Sequence, residues 1–174
     1  RAASPDMNNP APEPVTTHGT CIALSCAGHT AGVLLQGPSG TGKSSLALRL
    51  IDQPGFGAGS TDPICGHLVS DDQVVLEDVK GVLTATAPSA IEGLLEVRGI
   101  GIIKVKNAGF PVRLDMVIAH ADAMDIERIP GSEVIELAGR RMPLHKIDFS
   151  TPSAAAQVRT LALIRWGLAG LSNS

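Results

Sequence analysis

One segment of the sequence has the residue types and spacing of a phosphate-binding loop. Residues 33–50, VLLQGPSGTGKSSLALRL, contain the pattern G-x-x-x-x-G-K-[ST] between an apolar run and a stretch with helical periodicity. In such a loop the backbone amides surround a phosphate at the positive end of the following helix. The segment therefore predicts a site for a nucleoside phosphate. The residues predicted to contact it are Gly37, Pro38, Ser39, Gly40, Thr41, Gly42, Lys43, Ser44 and Ser45.

Two side chains at the end of this loop have predicted roles in phosphoryl transfer. The ammonium group of Lys43 can reach the β- and γ-phosphate oxygens, and the hydroxyl of Ser44 can bind Mg²⁺. A transfer reaction also needs further metal ligands and a group that orients or deprotonates the acceptor. The rest of the sequence must supply these groups.

A pair of adjacent acids, Asp71 and Asp72, follows the apolar run HLVS. Two carboxylates suit two roles, one on the metal and one facing an incoming hydroxyl. Because side chains alternate along a strand, both can face the site only if the strand has ended by Asp71. The alternative is a turn whose acids open the next strand. Asp115 is a rival acid, but it lies inside its apolar run and ranks below the pair.

Three further residues are candidates on weaker grounds. Glu96 and Arg98 lie in LLEVRGIGII, an apolar segment interrupted by glycines, where charged side chains need a partner or a ligand. A solvated loop is the alternative for this pair. His18 stands alone before the first predicted strand, and by residue type alone a structural role is the more common one.

The elements that must position these residues form an α/β pattern. Apolar runs predict strands at 20–25, 32–36, 67–70, 94–105, 112–120 and 134–139, and a hairpin over 73–87 around a Lys-Gly turn. Helical spacing predicts helices over 44–52 and after a Thr cap at 151, with a helical turn near 88–93. Strands outnumber helices and do not alternate regularly with them, so we predict a mixed sheet. The Gly- and Pro-rich loop 53–63 is predicted to be mobile unless a ligand orders it.

Composition sets the limits of the prediction. A chain of 174 residues suggests one domain, with residues 1–17 a flexible leader, 1–6 an expression scar before Met7, and 18–174 the catalytic domain. No apolar run of about 20 residues and no signal segment is present, which favours a cytoplasmic protein without membrane contact. A net charge of −3 and 2% aromatic residues argue against nucleic-acid binding. The sequence contains no Asn-Lys-x-Asp motif, the base-reading motif that a GTPase switch usually carries.

Three segments together resemble one protein family. HGTCIALSCAGHTAGVLLQGPSGTGKSSLALRLI, GHLVSDDQVVL and IEGLLEVRGIGIIKV are similar to the catalytic domain of HPr kinase/phosphorylase, over about residues 17–105. DIERIP, RMPLHKID and the Ala-rich C-terminal helix resemble its short alphaproteobacterial branch, which lacks the N-terminal domain of longer members. The resemblance implies a P-loop kinase fold related to phosphoenolpyruvate carboxykinase, assembled as a hexamer. It also implies ATP- and Mg²⁺-dependent phosphorylation of a serine on HPr, a small phosphocarrier protein of the sugar phosphotransferase system.

The resemblance also implies a role for each remaining candidate. His18 matches a His-Gly pair near the transferred phosphate. Asp71 matches the carboxylate that takes the proton from the acceptor serine, and Asp72 matches its metal-linked neighbour. Glu96 matches a metal-site acid, and Arg98 is assigned to the phosphate charge.

Two departures from the family pattern leave alternatives open. Ser45 stands where the family often has Glu, and the Pro-Gly-Arg-Asn stretch of longer members is not found. Phosphorolysis of the seryl phosphate and the usual docking of HPr are therefore open, whereas the metal, base and phosphate positions are filled. The leading hypothesis is a serine kinase acting on an HPr-like protein. The alternatives are a small-molecule kinase of carboxykinase-like fold and a non-catalytic nucleotide-sensing regulator.

Overall fold

A nine-stranded mixed sheet with two α-helices on one face dominates residues 13–169, the part of the chain that the computed structural model describes. The strands and helices have the following bounds in chain order. They are β1 (Val15–His18), β2 (Thr20–Cys26), β3 (His29–Gln36), α1 (Lys43–Asp52), β4 (Cys65–Ser70), β5 (Gln73–Val79), β6 (Val82–Thr86), β7 (Leu94–Val97), β8 (Gly101–Lys104), β9 (Val112–His120), β10 (Glu133–Leu137), β11 (Arg140–Ile147) and α2 (Ala154–Arg165). Short 3₁₀ turns occupy Ser89–Ile91 and Ala123–Asp125.

The strand order is β1-β5-β6-β9-β3-β2-β4, with the β10–β11 hairpin attached to β9 through β11. β3 and β11 run parallel to β9, and the other pairs in this sheet are antiparallel. β7 and β8 form a separate two-stranded hairpin. The predicted α/β class with a mixed sheet is therefore confirmed.

The central strands are apolar on both faces because both faces are covered. Along β2, Ile22 and Leu24 belong to the cluster that packs under the helices, whereas Cys21 and Ala23 belong to the cluster on the opposite face. This division follows from the alternation of side chains along a strand. The sheet is thereby fixed between two apolar layers, and its edge is a rigid platform for the loops that leave it.

The direction of three neighbouring strands decides where the site forms. β2 lies between β3 and β4 and is antiparallel to both, so the C-terminal ends of β3 and β4 meet the N-terminal end of β2 at one edge. Leu35, near the end of β3, pairs with Thr20, and Ser70, the last residue of β4, pairs with Cys21. The loop after β3, the turn after β4 and the first residue of β2 are thus neighbours.

Most predicted elements are present, and two strands were missed. The hairpin formed by β5 and β6 is confirmed, as are α1 and the helical turn near residue 90. β1 and β11 were not predicted from the sequence. Residues 15–17, assigned to the leader, pair with β5 as part of β1, which corrects the leader boundary. The rest of that prediction, including the scar at 1–6, concerns residues 1–12, outside the described part of the chain.

The start of the C-terminal helix differs from its prediction. The Thr cap is wrong, because the Thr151 hydroxyl donates to the carbonyl of Asp148 and α2 begins three residues later. Loop 53–63 contacts α2 where the Ala58 amide donates to Thr160 Oγ1 at 2.8 Å, and within the loop region Gly55 pairs with Ile64. The mobility predicted for this loop stays a prediction. No helix between residues 13 and 169 is long and apolar enough to cross a membrane.

Candidate functional site

A single cavity of about 320 Å³ lies at the sheet edge where β2, β3 and β4 meet the N-terminus of α1. We call it the loop cavity. It is lined by His18, Thr20, Ser39, Gly40, Gly42, Lys43, Ser44, Ser45, Asp71, Asp72, Glu96 and Arg98. Every residue predicted for catalysis or for the metal therefore borders one space, while Gly37, Pro38 and Thr41 are in the loop but outside the lining.

The loop after β3 is shaped to present backbone amides. β3 ends at Gln36, and α1 begins only at Lys43. Gly42, the residue before the helix, has a φ of 96°, a left-handed conformation that costs a glycine little. The first helical turn, whose amides have no partner within the helix, lines the cavity with Lys43, Ser44 and Ser45, and the helix dipole favours an anion there.

Lys43 provides the positive charge of this loop. Its side chain is buried, and its ammonium group donates to the carbonyls of Gly37 at 2.7 Å and Pro38 at 3.0 Å. Desolvation lowers the pKa of Lys43, while the charges of Asp71 and Asp72 act in the opposite direction. The cation is thus held over the loop by groups that an anionic phosphate can replace.

Asp71 is the most highly connected side chain in the loop cavity. It is 7% exposed and accepts three kinds of hydrogen bond. The hydroxyl of Thr20 donates to Oδ1 at 2.7 Å, the hydroxyl of Ser44 lies at 3.0 Å from Oδ1 and 3.2 Å from Oδ2, and the amide of Glu96 donates to Oδ2 at 3.1 Å. Both carboxylate oxygens therefore have protein donors.

Asp72 lies in a different environment although it is the next residue. Its side chain is 70% exposed, and its Oδ1 is 3.2 Å from Nδ1 of His18. Its backbone has a φ of 66°, and its carbonyl accepts from the amide of Gly19. Because β4 ends at Ser70, the condition that the strand ends before the acid pair is met. The turn then directs one acid inward and leaves the other in the open part of the cavity.

The β7–β8 hairpin supplies the remaining wall. Glu96 is exposed on β7, and Arg98 is the first residue after that strand. A Cβ placed on Gly40 would lie 3.6 Å from Nη2 of Arg98, so the guanidinium group reaches the tip of the phosphate-binding loop. This arrangement adds a second cation to the cavity that Lys43 borders.

The donor set suits a magnesium ion held jointly with a nucleotide. Among the described residues no cluster of three or more His, Cys, Asp or Glu side chains has the arrangement of a metal site. Mg²⁺ does not need such a cage, because it takes one or two protein oxygens together with phosphate oxygens and waters. The Ser44 hydroxyl beside the Asp71 carboxylate offers such oxygens at the foot of the phosphate-binding loop.

The structure adds Thr20 to the site, a residue that the sequence does not predict there, and it places the rival acid Asp115 elsewhere. The sequence predicts Thr20 only as the start of a strand, although its position directly after His18-Gly19 is a usable signal. Asp115 lies outside the loop cavity, where it accepts from the amide of Gly32 and pairs with Arg113 at 3.2 Å. Desolvation raises the pKa of Asp115, which its cationic neighbours oppose.

A larger cavity, of about 750 Å³, lies between residues 56–58, β11 and α2. None of the predicted site residues borders it. Size alone therefore does not indicate the site, because the smaller cavity holds the phosphate-binding loop and the acids.

Comparison with known proteins points to one family. Residues 11–110 match the family model described as HPr Serine kinase C-terminal domain. The HPr kinase/phosphorylase of Caldicellulosiruptor bescii is 35% identical over 142 residues, which cover 74% of this chain and 40% of that protein. The HPr kinase/phosphorylase of Clostridium tetani is 36% identical over 126 residues, which cover 67% and 37% respectively. The matched region thus spans about two fifths of the length of these relatives.

A solved structure has the same fold. The structure described as the Hpr(Ser) kinase/phosphatase from Coxiella burnetii aligns with a TM-score of 0.65 over 88% of this chain and 91% of that one. Its sequence identity is 22%, so this likeness concerns the fold.

Proposed function

The chain belongs to the family of the HPr serine kinase C-terminal domain, and we propose that it is an ATP- and Mg²⁺-dependent kinase that phosphorylates a serine of an HPr-like phosphocarrier protein. Membership of the family confirms the resemblance found in the sequence. Activity, acceptor and cofactor are our proposal, since the matched region spans only part of the longer relatives. A cytoplasmic location and a homo-oligomeric assembly, as a hexamer, belong to the same proposal.

One observation carries the proposal: the phosphate-binding loop shares a single cavity with two carboxylates in different environments. Asp71 is buried against the loop residue Ser44, and Asp72 is open to solvent beside His18. A nucleotide sensor needs only the first of these carboxylates. A second carboxylate on the open side provides what a transfer reaction requires, a group that can receive the acceptor's proton.

The contacts favour a different division of roles from the one that the resemblance implies. The base assigned to Asp71 would need a carboxylate oxygen turned to the acceptor, but both oxygens of Asp71 have protein donors. In its contact with Ser44, the loop hydroxyl donates a hydrogen bond to the acid. The lone pairs of the hydroxyl oxygen then stay available for a metal ion. We therefore assign Asp71, Ser44 and Glu96 to the group of residues that holds the metal ion, and we call this group the metal side.

Asp72 then takes the proton from the acceptor serine. Its carboxylate is exposed in the cavity mouth, and His18 lies close enough to orient it by a hydrogen bond. The O–H bond of the serine breaks as its oxygen bonds to the γ-phosphorus, the proton passes to Asp72, and ADP leaves with the electron pair of the broken P–O bond. Lys43 and Arg98, which both line the cavity, balance the phosphate charge. Ser44, Asp71 and Glu96 would hold a magnesium ion bound with the nucleotide, and the ion would supply neutralisation of the phosphate charge.

The experiment that tests the proposal is transfer of labelled phosphate from ATP to the HPr-like proteins of the source organism. We expect incorporation at a serine, and incubation of the product with inorganic phosphate will decide whether phosphorolysis is retained. A panel of small metabolites tested in parallel covers the alternative of a small-molecule kinase. Tight ATP binding without transfer to any acceptor would instead support a nucleotide-sensing regulator.

A further inference from the structure

The hydroxyl of Thr20 is buried and contacts Asp71 directly, and phosphate binding does not explain why a hydroxyl is present there. Thr20 is 0% exposed and opens β2, whose next residues are the buried apolar Cys21 and Ile22. A valine has nearly the same shape and suits such a strand, so packing alone does not call for a hydroxyl here. A buried hydroxyl is costly unless it is hydrogen-bonded. Thr20 meets this requirement with a 2.7 Å bond to Asp71.

The Thr20 bond fixes the Asp71 carboxylate from one side while the hairpin fixes it from the other. Thr20 donates to Oδ1, and the amide of Glu96 donates to Oδ2 at 3.1 Å. The two donors belong to different elements, β2 and β7. With both oxygens held, the plane of the carboxylate is set, and the Ser44 hydroxyl lies within reach of both oxygens at 3.0 and 3.2 Å.

We propose that Thr20 is a positioning residue of the metal side: through Asp71 it orients the Ser44 hydroxyl so that the oxygen lone pairs of Ser44 face the nucleotide-bound cation. The chain of contacts is Thr20 to Asp71 and Asp71 to Ser44. Partners of this kind, one step removed from a metal, typically change metal affinity or activity about 10- to 100-fold when they are removed. This inference rests on the proposed function for the presence of the cation, but not for the identity of the acceptor.

The test is the binding of Mn²⁺ to the protein preloaded with a non-hydrolysable ATP analogue, with free Mn²⁺ followed by electron paramagnetic resonance. We expect Thr20→Val to weaken Mn²⁺ binding about 10-fold or more. Affinity for the analogue without metal should stay within about two-fold of the wild type, because the loop amides and Lys43 are unchanged. Thr20→Ser keeps the donor and should restore Mn²⁺ binding. Thr84→Val, which removes a strand hydroxyl bonded to the Glu77 carbonyl, serves as the control.

Two results would overturn the inference. One is Mn²⁺ binding by Thr20→Val as tight as in the wild type, and the other is failure of Thr20→Ser to rescue it. If Thr20→Val does not fold, Thr20→Cys replaces it, because a thiol fills a similar space but is a weak donor. Failure of the wild type to phosphorylate HPr-like proteins would remove the proposed acceptor, yet the Mn²⁺ comparison would still decide the role of Thr20.

Discussion

The hydroxyl of Ser44 lies 3.0 Å from Oδ1 and 3.2 Å from Oδ2 of Asp71, which joins the end of the phosphate-binding loop to the first residue after β4. The two residues are 27 positions apart in the chain. They meet because β3 and β4 end at the same edge of the sheet on either side of β2. This contact distinguishes the two neighbouring acids and leads to different expectations for the Mn²⁺ affinity of their variants.

Asp71→Asn should abolish metal-dependent transfer while leaving metal-free nucleotide binding nearly intact. An amide keeps the shape but cannot accept from all the donors that surround Asp71, and it removes the negative charge beside the Ser44 hydroxyl. The measurements are labelled-phosphate transfer and Mn²⁺ affinity of the analogue-loaded protein, which should weaken about 10-fold or more. Transfer at the wild-type rate by this variant would remove Asp71 from the mechanism.

Asp72→Asn should lose transfer as well, but with Mn²⁺ affinity within about two-fold of the wild type. Its carboxylate is exposed beside His18 and is not bonded to Ser44, so the metal side should be unaffected. A loss of about 10²-fold or more in kcat is expected for removal of a general base. If Asp72→Asn weakens Mn²⁺ binding and Asp71→Asn does not, the division of roles is the one that the resemblance originally implied.

The sequence predicted the parts of the site better than their arrangement. The phosphate-binding loop and the strand before Asp71 have local signals, a glycine pattern and an apolar run, that need no knowledge of the fold. The position of Thr20 depends on strand order, because only an antiparallel β2 between β3 and β4 brings its first residue to the acids. The different exposure of Asp71 and Asp72 likewise depends on a left-handed turn at Asp72, which a single sequence does not specify.

The missed strands have a similar explanation. β1 consists of Val15–His18, four residues of which none is buried, so neither apolar alternation nor length marks it. β11 contains Pro143 and charged residues at its start, which are typical of a loop. Each is held in place by pairing with a distant partner, β5 and β9 respectively. Non-local pairing of this kind outweighs local propensity.

Gly66→Ala should destabilise the fold because α1 lies directly against β4. A Cβ at Gly66 would be 2.3 Å from the carbonyl oxygen of Leu50, a backbone atom of α1 that cannot turn away. We expect the free energy of unfolding to fall by about 1–3 kcal/mol, as for other overpacked sites. Urea denaturation checks this. Gly131→Ala is the matched control, since a Cβ there meets nothing within 4 Å, and an equal loss in both variants would contradict the packing argument.

Arg49→Met should destabilise the connection between α1 and the segment before α2. The guanidinium group of Arg49 donates to the carbonyl of Phe149 at 2.7 Å and to that of Thr151 at 2.9 Å. Methionine preserves much of the apolar stem but leaves both carbonyls without this donor, at a cost of about 1–3 kcal/mol in unfolding free energy. Arg141→Met, at an exposed position on β11, should change stability by less than about 0.5 kcal/mol. Unchanged stability of Arg49→Met would show that water replaces the donor.

Asp115→Asn should remove a pH-dependent contribution to the free energy of unfolding. Burial raises the pKa of Asp115 in the folded state, although Arg113, the Gly32 amide and Arg165 partly oppose the shift. A raised folded pKa means that the folded state binds this proton more tightly than the unfolded chain, so the contribution favours folding at low pH. It is lost as the pH rises from about 4, the ordinary range of Asp, through the raised value. The unfolding free energy of the wild type minus that of Asp115→Asn, measured by urea denaturation across this range, should therefore decrease with rising pH. A difference that increases instead would mean that the two arginines outweigh the cost of burial.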